Sequence, residues 1–170
     1  MYGIIISGLG VILGVGLTVG GMSANAEWNK SVGNYWDLAD KSATIERKSE
    51  YVDKFVQALE SEKLEGMNNA LFFFTPSNSF DANLEALKSL QSRLKEIEGM
   101  DVKSFEYQTA VQQITQQEFA EASDMIRVLE GCWWKLNHYF LWNAFIFLGL
   151  ILLSGVLIIA GFIVWAESSY

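Results

Sequence analysis

Residues 140–165 read FLWNAFIFLGLILLSGVLIIAGFIVW, 26 consecutive positions without a charged side chain. A bilayer core about 30 Å thick is crossed by about 20 helical residues, and backbone inside it must satisfy its own hydrogen bonds as a helix. The run therefore reads as a transmembrane helix over 140–166, followed by a short tail, 167–170. Working outward, the other end of the chain repeats the pattern. Gly3 to Met22 are 20 uncharged residues, and 1–22 reads as a first, glycine-rich span. The charge is confined between them, with all 12 Lys and Arg falling between Lys30 and Lys135. The expected fold class is an all-α membrane protein. Two transmembrane helices form a hairpin flanking a long-helix extramembrane bundle of three to four helices, residues 23–139.

The flanks of the spans fit this reading. Trp133, Trp134, Tyr139 and Trp142 lie near one end of the second span and Trp165 near the other, the arrangement of an interfacial aromatic belt. In the first span Gly3, Ser7, Gly10, Gly14 and Gly21 share one helix face, and Gly16 and Gly20 form a second small-xxx-small pair. Such faces let helix backbones approach closely. They predict packing against the second span or against a neighbouring subunit, hence a homo-oligomer or a subunit of a membrane complex. Ser23-Ala24-Asn25-Ala26 has the small-x-small form of a signal cleavage site. No Lys or Arg precedes it, so the segment is read as retained. The expected location is integral to the lipid bilayer, with the bundle on the extracytoplasmic side.

Composition excludes several classes of function. A formal charge of −8 disfavours nucleic acid as a partner. One Cys forbids an internal disulfide and any thiolate metal cluster. The only His, His138, lies far from Glu118, Glu121 and Asp124, whereas carboxylate di-iron sites use Glu-x-x-His pairs. Neither a Ser/His/Asp set nor a phosphate-binding glycine loop is present. No cofactor, metal or catalytic residue is expected, and the chain reads as a non-enzyme.

The middle is punctuated sparsely, with Pro76 and Gly33, 66, 99 and 131 alone between residues 23 and 139. Apolar residues at three- and four-residue steps predict a helix from about Glu27 to Leu64, with Trp28, Val32, Tyr35, Ala39, Val52, Phe55, Val56 and Leu59 on its stripe. That stripe thins between Ser42 and Ser49, where a break would give four helices rather than three. A second helix is predicted from Phe80 to Glu98, capped by Ser77 or Ser79 and stopped by Gly99. A third starts after Asp101, with a seam through Tyr107, Val111, Ile114, Ala122, Met125, Leu129 and Cys132 and with Glu118 on the same register. If the first helix is unbroken, either the second helix lies across the top of the bundle or residues 67–79 double back in extended form; the second is expected.

Leu71, Phe72, Phe73 and Phe74 form the most unusual segment outside the ends. The first reading is a strand-like clamp packed along the bundle; the second is an exposed patch for a partner. The function expected is a non-enzymatic, membrane-anchored structural or assembly subunit that oligomerises through its transmembrane helices and presents its bundle to partners. Two alternatives are a sensor-type ligand-binding module and a viral or membrane-remodelling protein using Phe72–Phe74. The sensor reading requires a polar-lined cavity in the bundle.

Overall fold

The computed structural model describes residues 2–70, 73–144 and 147–149, with side chains described from Val15 onward. Its contacts divide the chain into Ala24–Asn137, and Met1–Ser23 together with His138–Tyr170. The described residues are helical, with no strand among them and one isolated bridge, Asn68 to Ser79.

The elements are α1 (Tyr2–Trp28), a π-helical turn (Asn29–Gly33), α2 (Asn34–Lys41), α3 (Ile45–Ser61), a 3-10 turn (Pro76–Asn78), α4 (Phe80–Glu98), α5 (Phe105–Gln113), a second π-helical turn (Ile114–Glu118) and α6 (Phe119–Asn137). The long first helix predicted from Glu27 to Leu64 is broken at residues 42–44. Ser42 turns into extended backbone, and the Thr44 hydroxyl caps α3 by accepting the Arg47 N–H. This is the four-helix outcome. α2 packs on α3, α3 on α4 and α4 on α6. The break also removes the need for an extended crossover, because α3 returns the chain to the end from which α4 starts.

The core of the bundle is apolar and continuous. Val52, Phe55, Leu59, Leu64, Leu87, Leu94, Ile114 and Leu129 are fully buried. Each large side chain contributes roughly 1.5–3 kcal/mol by leaving water. Two aromatic clusters tie the helices together. Trp28 meets Phe55 edge-on at 6.4 Å and Trp133 at 5.6 Å, while Trp36 stacks on Phe119 at 5.0 Å and tilts against Phe55 at 5.7 Å. Lys48, 5% exposed, closes the second cluster. Its ammonium donates to the Ala39 and Asp40 carbonyls, both at 3.0 Å, and lies 4.3 Å from the Phe119 ring centre. A cation thus satisfies the negative end of α2. Burial lowers the Lys48 pKa, and Asp40 opposes that shift.

The π-helical turns correct the predicted registers. A π turn inserts a residue into the helical repeat. The buried step from Ile114 is therefore five residues, to Phe119, and Glu118 leaves the seam. At the other turn Gly33 lies under the Trp28 indole, where an added Cβ would meet Nε1 at 2.6 Å. α5 is capped by Ser104, whose hydroxyl accepts the Tyr107 N–H; Asp101 instead accepts the Lys103 N–H in the preceding turn.

The membrane reading is overturned: among the described residues, no helix is long and apolar enough to cross a membrane. The two-span hairpin and the integral membrane location fall with it. In α1 the described stretch from Val15 is diluted by Gly16, Thr18, Gly20, Gly21, Ser23, Asn25 and Glu27, and its last turn, with Ala24 and Trp28 buried, belongs to the bundle core. The predicted second helix, 140–166, lies outside the described residues at 145–146 and from residue 150 onward, as does the tail 167–170.

Candidate functional site

The loop from Glu62 to Ser79 between α3 and α4 is the segment that helix packing does not explain. Lys63, at φ 54°, and Gly66, at φ 74°, turn the chain in the left-handed region. Leu64 between them is fully buried and anchors the turn. The Gly66 N–H donates to the Asp81 carboxylate at 3.1 and 3.3 Å, so the turn is tied to the start of α4. The Asn69 N–H then reaches the Asn78 carbonyl at 2.9 Å, and the Phe80 N–H reaches the Met67 carbonyl at 2.8 Å. The two arms of the loop are thereby closed on each other.

Asparagine side chains hold the tip. Asn78 Oδ1 accepts the Thr75 N–H at 3.0 Å, and Asn78 Nδ2 donates to the Phe73 carbonyl at 2.9 Å. Asn83, 8% exposed on α4, donates to the Ser77 and Ser79 carbonyls at 3.1 and 2.7 Å. Lys135 reaches over from α6 and donates to the Asn68 and Ala70 carbonyls at 3.1 and 3.2 Å. Its ammonium is 6.0 Å from the Phe74 ring centre. The Trp133 indole N–H donates to Glu62 at 3.0 Å. Asn69 lies directly on Gly131, where an added Cβ would overlap its side chain.

The outcome is a braced loop that displays aromatics. Phe73 is 82% and Phe74 70% exposed. The clamp packed along the bundle is not what these two residues form; Leu71 and Phe72 lie outside the described residues. The anchors Asn78, Asn83 and Lys135 escape sequence reasoning. A signal was present in Asn68, Asn69, Asn78 and Asn83 clustered around Pro76, since Asn side chains bond local backbone in turns.

The other predicted site residues are dispersed. Trp133 is buried in the bundle against Trp28, and Trp134, partly buried, packs on the same core. Tyr139 is 64% exposed and Trp142 half-buried; Trp165 lies outside the described residues. Of the glycine faces, Gly20 is approached by Leu141 Cδ2 at 3.0 Å from the site of an added Cβ, whereas nothing lies within 4 Å of Gly16. The surroundings of Gly3, Ser7, Gly10 and Gly14 are not among the described ones. Cys132 is fully buried, and desolvation pushes its thiol up to about 11 despite the opposing charge of Lys135. It packs as a small apolar residue and is a poor nucleophile. Burial also raises the Glu130 carboxyl, against a hydrogen bond from Trp134. Among the described residues no group of three or more His, Cys, Asp or Glu side chains could hold a metal ion.

Comparison with protein-family models, with curated proteins and with solved structures returns no match to this chain.

Proposed function

We propose that the protein is a non-enzymatic structural or assembly subunit, and that its helical bundle docks a protein partner through the Phe73–Phe74 loop. The observation that carries this reading is the combination of exposure and bracing at the loop. Two adjacent phenyl rings stand in solvent on backbone fixed by Asn78, Asn83 and Lys135. Exposed apolar groups stand out against a surface of net negative charge. A rigid display reduces the ordering cost of association, and desolvated aromatics supply most of the binding energy at protein interfaces.

Site-specific photo-crosslinking in the native host tests this. A benzophenone side chain at position 73 or 74 is expected to capture a discrete protein species. The same group at Glu50, an exposed position on α3 of the same bundle, is expected not to. Equal labelling at all three positions, or none at the loop, would refute the docking role.

The sensor-type reading has a separate support, a charged notch between α4 and α6.

A further inference from the structure

The π-helical turn Ile114–Glu118 does more than reset a register. It turns Glu118 towards α4, where the carboxylate, 14% exposed, meets the Arg93 guanidinium at 2.5 Å. The buried Oε1 receives that charge as an ion pair without an aligned hydrogen bond. Beside the pair is a half-open notch of about 160 Å³ between α4 and α6. Arg93 and Ser89, one turn apart on α4, form one wall; Glu118 and Glu121 form the other; Leu90 and Ala122 are the apolar floor. Among the described residues Arg93 has no partner besides Glu118, and Glu121 accepts only the Gln117 amide, at 3.2 Å. π turns concentrate at functional positions because the irregular repeat otherwise costs stability.

We propose that this notch binds a small zwitterion of the α-amino-acid class. The chemistry of the two walls decides the class. An anion alone would take Arg93 from Glu118 and leave a mostly buried carboxylate unpaired, which is costly. A cation alone would engage only the acidic wall and gain nothing from the Arg93 guanidinium, whose side chain is 44% exposed. A zwitterion entering between them re-pairs both. Its carboxylate takes the fork of Arg93, with the Ser89 hydroxyl alongside, and its ammonium takes Glu118 and Glu121. Size limits the choice further. Pockets for drug-sized ligands run to roughly 300–1,000 Å³, so this notch accepts an amino acid with a short side chain, set on the Ala122 methyl. A ligand of six non-hydrogen atoms in a half-open site binds with a dissociation constant on the order of 1 mM. The proposal is independent of the Phe73–Phe74 loop.

The test titrates the full-length ¹⁵N-labelled chain with L-alanine, and in parallel with acetate and with methylammonium, at constant ionic strength. L-alanine is expected to give saturable amide shifts confined to residues 86–93 and 118–125. Acetate and methylammonium are each expected to bind at least tenfold more weakly, a difference of about 1.4 kcal/mol. Arg93→Gln and Glu118→Gln are each expected to weaken alanine binding tenfold or more, with amide positions elsewhere unchanged. Phe73→Ser is expected to leave it unaltered. Saturation by either half-molecule at alanine's concentrations would overturn the proposal. So would the absence of saturable shifts at about fifty times the expected constant. Unchanged binding in a folded Arg93→Gln chain would do the same. If the charge variants fail to fold, Ser89→Ala, at an exposed position, is expected to weaken alanine binding at least threefold, and no weakening would count against the site.

Discussion

Phe55 and Phe73 are the same side chain in opposite settings, and both are held in place. Phe55 has no exposed surface and is fixed by Trp28, Trp36 and the surrounding aliphatic groups. Phe73 is 82% exposed, and what fixes it is its own carbonyl, bonded to Asn78. In the bundle, burial of the side chain orders the backbone. In the loop, polar groups order the backbone and the side chain is left over. The two regions therefore rest on different forces, and substitutions separate them.

The largest effect is expected in the bundle. Phe55→Ala removes a fully buried ring that touches both tryptophan clusters, and it should cost about 3–5 kcal/mol in chemical denaturation. A loss below about 1 kcal/mol would mean that the bundle is packed far more loosely than the buried residues imply.

Next comes a place where the bundle itself depends on a polar group. Lys48→Met leaves the Asp40 carbonyl without its side-chain donor and the Ala39 carbonyl with only the Ser42 N–H at 3.2 Å, a loss of about 1–3 kcal/mol. Relief from burying a charge partly offsets it. Lys48 holds its proton less tightly in the folded than in the unfolded chain, because burial lowers its pKa from 10.5. Between the lowered value and 10.5 the unfolded chain binds more protons. Wild-type stability relative to Lys48→Met should therefore rise with pH through that window. Denaturation midpoints of both proteins at matched pH check the sign; a difference that falls with pH would refute the assignment.

These forces also explain what the sequence alone discloses. α4 is legible to the residue, from its Ser79 cap through the buried Leu87, Leu90 and Leu94 to Gly99, because every signal for it is local. The break after Lys41 shows as a thinned stripe, but only the Thr44 cap turns a weak stretch into a hairpin. The π turns are not legible. Glu118 falls on the register of a regular helix, and Phe119 replaces it only because the Ile114–Glu118 turn adds a residue. Hydropathy, glycine spacing and flanking aromatics describe the uncharged ends, but none of them discloses that Trp28 and Trp133 face each other inside the bundle. The loop anchors were obscured for a similar reason. Lys135 reaches Asn68 across 67 positions of chain, and no local pattern encodes such a bond.

Lys135 is the handle on the loop. Lys135→Met keeps the length of the side chain and removes charge-assisted bonds to the Asn68 and Ala70 carbonyls. The expected loss is about 1–2 kcal/mol, since the site is only half-buried. The sharper readout is local: cleavage by chymotrypsin after Phe73 or Phe74 should accelerate severalfold before the bundle unfolds. Unchanged cleavage would show that the asparagines brace the loop without help from α6.

The smallest effect is the most informative for the comparison. Phe73→Ser removes a ring that gains almost nothing from burial, so stability should change by less than about 0.5 kcal/mol. The Asn78 bond to the residue 73 carbonyl is a backbone contact and survives the substitution. A near-neutral Phe73→Ser beside a severe Phe55→Ala would establish that the bundle does not need the displayed ring. A loss above about 1.5 kcal/mol would instead require Phe73 to be covered in the free protein, and the loop would then rest on the same apolar force as the core.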